Sequence, residues 1–190
     1  MNCKTFGRAV SLIAVLALAA GSAALAQTPR HMKFSGTIND YTPASTAGPW
    51  EVRGHWTLEV KGDGKADFSA ALTMERSDQG VLQNGGGDLN SATDRNAHTH
   101  HIVLCDGEVT AIPNGFRVTA PAKITANGAF PPPFGPTSSL QIDITGGNEV
   151  TFSNIAVTLQ EDAAMHFGTQ PMHGVVRVAR KAGGDDDHGR

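Results

Sequence analysis

The sequence predicts an all-β protein, mostly antiparallel, folded as a β-barrel-like meander or a β-sandwich. Three observations carry this. Apolar and polar residues alternate with a period of two over much of the chain, clusters of Gly, Asn and Asp punctuate the alternation, and no segment shows a helical period of useful length. Consecutive hairpins account for the visible connections, which favours the barrel-like meander.

The alternation begins at Met32-Phe34-Gly36-Ile38 and is sharpest in the next strand. There Trp50, Val52, Gly54, Trp56, Leu58 and Val60 interleave with Glu51, Arg53, His55, Thr57, Glu59 and Lys61, the pattern of a half-buried strand. Gly62-Asp63-Gly64 supplies a turn, and Ala66, Phe68, Ala70, Leu72 and Met74 resume the inward face, so these two strands are predicted to form a hairpin. Ile102-Val103-Leu104-Cys105 continues a strand begun by the histidines before it. Further strands follow at Phe116-Val118-Ala120 and at Leu140-Ile142-Ile144. Another runs through Val150-Phe152 to Ile155-Val157-Leu159, and its change of phase near Asn154 predicts a bulge. Turn signals stand at Asp106-Gly107, Asn114-Gly115, Asn127-Gly128 and Gly146-Gly147-Asn148, and Glu161-Asp162 reads as a solvated turn.

Two connections exceed what a tight hairpin needs. Residues 77–97 are polar and rich in Gly, Asn and Asp, and they lead directly into the histidines. Phe130-Pro131-Pro132-Pro133-Phe134-Gly135-Pro136 predicts a stiff polyproline arm, read first as a cover for a sheet edge and second as an apolar rim to a ligand mouth.

The ends of the chain set its domain organisation. Residues 1–26 read as a signal peptide: Lys4 and Arg8 precede an apolar stretch, and Ala24-Leu25-Ala26 ends it with small residues. A periplasmic or secreted protein is therefore expected, with no membrane insertion after cleavage. Residues 27–180 form a single β domain, and 181–190, with Asp185-Asp186-Asp187-His188, read as a disordered tail. Past residue 26 the one cysteine is Cys105, which excludes an internal disulfide there and is expected to be a buried small hydrophobe. The net charge of -3 at pH 7, with basic residues scattered among acids, argues against nucleic acid as a partner. Oligomeric state is not legible.

The histidines carry the candidate chemistry. In a strand His98 and His100 share one face while His101 points to the other, which places two imidazoles about 7 Å apart at Cβ, close enough to lean onto one metal ion or polar ligand. Completing a metal site needs a further ligand. His166 and His173, on either side of the apparent turn Gly168-Thr169-Gln170-Pro171, are candidates if their strands neighbour that of His98. Asp94 and Asp106 bracket the strand and offer an oxygen ligand or a partner for an imidazole. Imidazole ligands of this kind suit zinc, copper, nickel or iron. A polar ligand oriented by neutral imidazoles is the alternative use of the same pair.

The His98-Thr99-His100 pair resembles the metal-binding His-x-His of the cupins, although Leu104 and Cys105 stand where that pattern places a Glu. Gly54-His55-Trp56 is similar to the Gly-x-Trp of the lipocalins, here in the second strand. More broadly, residues 34–41, 48–56, 98–102, 130–136 and 166–171 resemble a group of uncharacterised secreted all-β bacterial proteins, which implies export and brings no particular activity with it. No nucleophile–base–orienter set appears, so a binding domain for a metal ion or small ligand is the first expectation. A metal-dependent or acid–base enzyme of lyase, isomerase or oxygenase type is the second, and a structural envelope protein the third.

Overall fold

A computed structural model describes residues 29–42, 50–76, 97–127, 134–146 and 152–182. The expected signal peptide, the 77–96 connection, the proline run 130–133 and the expected tail from 183 lie outside these residues. The chain runs β1 (Met32–Thr42), β2 (Trp50–Val60), β3 (Lys65–Arg76), β4 (Ala97–Ile112), β5 (Gly115–Ala126), β6 (Thr137–Thr145), β7 (Asn154–Leu159), α1 (Glu161–Phe167) and β8 (Met172–Lys181). Each strand pairs antiparallel with the next, and β8 pairs back onto β1, which closes a barrel in strict chain order. The choice between barrel and sandwich is thereby settled.

Closure follows from the alternation. Phe34, Ile38, Val52, Trp56, Leu58, Phe68, Leu72, Ile102, Leu104, Val118, Ile142 and Val157 are buried, and they fill the interior. Phe34, Phe116 and Phe152 meet with ring centroids 5.4 Å apart at one end. The filled lumen is a packed core and not a calyx. Outward positions on β1 and β2 carry Lys33, Ser35, Thr37, Arg53, His55, Thr57 and Glu59. That is the reverse of a membrane-spanning barrel, whose outward band is apolar. Among the described residues no helix is long and apolar enough to cross a membrane.

Several local expectations change. The Asp106-Gly107 pair does not end a strand. β4 continues through it as a bulge, with the register shifting between Leu104 and Glu108. Asp106 takes φ 54°, and its N–H donates to Asp67 Oδ1 at 2.9 Å, so the kink is held by the neighbouring strand. Cys105 is exposed and not buried. Leu104 points inward, and parity sends the next side chain out. Near Asn154 the phase change falls at the start of β7. Ser153 and Asn154 are both exposed between buried Phe152 and Ile155, the Ser153 N–H donates to the Thr145 carbonyl at 3.1 Å, and β7 itself pairs with β6 without a register shift.

The strand directions sort the connections between the two ends of the barrel. Connections β2–β3 and β4–β5 are tight and lie at the end that also holds residues 29 and 182. At the other end lie the strand ends Thr42, Trp50, Arg76, Ala97, Ala126 and Thr137 and the segment carrying α1. This second end is the mouth.

Candidate metal centre

Two elements meet at the mouth. At the top of β4, His98, His100, Ile102 and Leu104 share the inward face, while His101 is exposed on the outer wall. β4 is held there by β3, through His98 opposite Met74 and His100 opposite Leu72, and by β5, through His100 opposite Ala126.

The second element is α1. Ala163, His166 and Phe167 are buried, at the i, i+3, i+4 spacing of one helix face, whereas Glu161, Asp162 and Met165 face water. Glu161 and Asp162 suit the positive N-terminal end of the helix. Ser138 Oγ donates to the Gln160 carbonyl at 2.6 Å, and Ser139 Oγ donates to Glu161 Oε1 at 3.0 Å, so the start of α1 is fastened to β6. The helix stops at Gly168, whose φ of 90° favours glycine and whose N–H donates to the Ala164 carbonyl at 2.9 Å. The expected solvated turn is therefore a helix that covers the mouth and points His166 inward.

His98, His100 and His166 form one cluster, with their ligand nitrogens all within 4.8 Å of one another. The His166 Nε2 lies 3.0 Å from His98 Nε2 and 3.0 Å from His100 Nε2. The rings pack T-shaped or tilted against one another, at centroid separations of 4.7, 5.1 and 5.0 Å. His100 and His166 are buried, 1% and 6% exposed, and His98 is half-buried.

Aromatic rings wall the cluster. Trp50 packs edge-on against His98 at 5.0 Å and also touches His166. Phe167 lies 4.9 Å from the His100 ring, and Phe134 lies 5.8 Å from it and 5.5 Å from His166. Phe134 is the second aromatic of the proline arm. A closed barrel has no open sheet edge to cover, so the edge-cover reading falls, and this residue lies against the histidines.

Burial controls the protonation of the cluster. It holds the His98 imidazole below its usual range. Burial, reinforced by His166 and His98, pushes His100 down to about 2, and burial with His98 beside it pushes His166 down to about 4. All three are neutral at pH 7, the state a metal ligand requires. Neutral rings do not satisfy one another in this arrangement. The His166 Nε2 carries either one proton or one lone pair, yet it faces two other Nε2 atoms. The Nδ1 atoms of His100 and His166 are buried without a hydrogen bond of good geometry, and only a weak contact with the Thr125 backbone favours the charged form of His100. Zn–N bonds of about 2.0–2.1 Å in a tetrahedron separate ligand nitrogens by about 3.3 Å, close to the 3.0 Å found between His166 and each neighbour.

The other candidates stand elsewhere. His173 is on β8, which neighbours β1 and β7 and not β4, and its Nδ1 lies 3.0 Å from Asp40 Oδ2 on the outer wall. Asp106 sits towards the opposite end of the barrel, paired with Lys61 at 2.7 Å. Asp94 lies outside the described residues. An open groove of about 510 Å³ runs over the outer wall past Lys33, Thr57, Ser69, Val103 and Cys105, away from the histidines. Acidic side chains along it are already engaged, Glu59 by Lys33 and Asp67 by Lys61. Sequence reasoning missed Trp50 and Phe167 as walls of the site; their one signal was a large aromatic at the end of a strand and beside His166.

Comparison of the chain with protein-family models, with curated proteins and with solved structures gives no match.

Proposed function

We propose that this protein is an exported barrel that holds one divalent transition-metal ion at its mouth, on the Nε2 atoms of His98, His100 and His166. The observation that carries the reading is the convergence of three neutral imidazole nitrogens in an aromatic-walled, largely buried site. A cation accepts all three lone pairs at once, whereas hydrogen bonding among the rings makes a single proton or a single lone pair on His166 Nε2 serve two partners. Metal would also tie α1 to β4, two segments far apart in the chain, across the mouth of the barrel.

Titration of tag-free, chelator-treated protein with zinc is expected to saturate at one ion per chain. It is expected to raise the melting temperature by about 5–10 °C at a hundredfold excess over Kd. His173→Ala should retain this response, and a variant with alanine at positions 98, 100 and 166 should lose it. A wild-type melting curve and histidine NMR spectrum indifferent to zinc, copper, nickel and iron would refute the metal assignment.

Export rests on the order of charged, apolar and small residues within 1–26. Mass spectrometry of protein expressed in a bacterial host should find a chain starting at Gln27 in the periplasm or medium. An intact Met1 in the membrane fraction would oppose it.

Metal-assisted catalysis is a second reading, favoured by one observation. Three protein nitrogens leave a coordination position for water or substrate, as in catalytic rather than structural zinc sites. Binding ranks first because the described walls, Trp50, Phe134 and Phe167, supply no general acid or base.

A further inference from the structure

We propose that the remaining coordination position at the three-histidine centre takes a small monoanion, of the carboxylate or azide class, and that metal and anion bind cooperatively. This rests on the metal reading above and goes beyond it in naming the chemical class of the exogenous ligand.

The argument is one of charge. Three neutral imidazoles leave a divalent ion with its full +2 charge. No described carboxylate or thiolate has a ligand atom within reach of the cluster, which consists of histidines alone. Among the described residues, Asp40 is engaged by His173, and Glu161 by Ser139 on the water-facing side of α1. Around the rings lie Trp50, Phe134 and Phe167, all buried. A doubly charged centre in such surroundings is poorly solvated, and the interaction of an added anion with it is weakly screened. A monoanion on the metal removes half of the net charge and supplies the missing ligand.

Access and size are set by the same walls. Rings pack on His100 from Phe134 and Phe167, and on His166 from Trp50, Phe134 and Phe167. His98 is the half-buried member of the three, so entry is on its side. A compact anion such as acetate or azide suits that approach better than a large one. By linkage, an anion that binds the metal-loaded form must tighten metal binding by the same factor.

Cobalt(II) and zinc serve as the probes. Full-length protein loaded with one equivalent of cobalt should change its visible absorption on addition of acetate or azide, with saturation. In a parallel titration against a competing chelator that does not itself bind the anion, saturating acetate should tighten zinc binding at least tenfold. Potassium perchlorate at equal ionic strength, a weakly coordinating control, should do neither. Stoichiometric cobalt and zinc binding with a spectrum and affinity indifferent to acetate and azide would overturn the anion proposal while leaving the metal reading intact. Failure of both metals to bind would remove the metal reading and the anion proposal together.

Discussion

Metal-free His100→Leu protein is expected to be more stable than metal-free wild type by about 1–2 kcal/mol, while binding zinc at least a hundredfold more weakly. His100 is 1% exposed, and its Nδ1 makes no hydrogen bond of good geometry, with only a weak contact to the Thr125 backbone. An unsatisfied buried polar group costs about 1–3 kcal/mol, whereas an apolar group of similar size in the same place is nearly neutral or stabilising. Leucine would pack against Phe134 and Phe167, and the His98–His166 contact at 3.0 Å would become a simple hydrogen-bonded pair. A variant that gains stability as it loses metal marks a residue kept for function at the expense of the fold. Urea denaturation of chelator-treated proteins measures the first effect and zinc titration the second. A large loss of stability in the metal-free variant would show instead that the histidines form a structural network.

The same burial predicts acid sensitivity. His100 and His166 have folded-state values of about 2 and about 4, against 6.5 unfolded. Below pH 6.5 the unfolded chain therefore binds more protons than the folded one, so stability falls with pH and continues to fall until the folded-state values are reached. At pH 5 the loss is about 2 kcal/mol for each of these two groups relative to pH 8. His100→Leu removes its share, so the stability of the variant should depend less steeply on pH between 7 and 5. Equal slopes for the two metal-free proteins would contradict the assignment of His100 as a buried neutral imidazole.

What the sequence reveals of this site depends on distance along the chain. The inward alternation of β2 and β3, their hairpin, and the shared face of His98 and His100 are local, and each follows from parity over a few residues. Cys105 follows from parity as well; its apolar neighbours suggested burial, but an outward position decides exposure. α1 is only seven residues long, too short for a helical period to stand out, and its buried face of Ala163, His166 and Phe167 becomes recognisable only once the barrel mouth lies beneath it. His166 and His173 look equivalent as residues flanking a turn. They are separated by which element ends as helix and by β8 returning to β1, a long-range pairing that no local pattern contains.

That return of β8 onto β1 is one place where a single added carbon is expected to do large damage. Gly36→Ala should destabilise the protein by about 3 kcal/mol or more, beyond the usual cost of overpacking. Gly36 pairs with Trp56 on β2 and Val176 on β8, and the β1–β8 register shifts between Ser35 and Gly36. A Cβ at Gly36 would overlap the Val175 carbonyl oxygen and stand 2.9 Å from Trp56 Cζ2. The first obstacle is backbone and the second is a buried indole stacked on Phe68, so neither can move aside cheaply. Gly64 offers the contrast. Its φ of 80° disfavours a side chain, but nothing lies within 4 Å of an added Cβ, so Gly64→Ala should cost only about 1 kcal/mol. If the seam is the weak point, hydrogen exchange in Gly36→Ala should show lost protection first in β1 and β8, with β2 to β5 still protected. The freed strand edges would then pair with other copies, and the variant should aggregate on mild heating where Gly64→Ala does not. Equal stability losses in the two glycine variants would mean that barrel closure tolerates a shift of β8, and that Gly36 is not what sets its register.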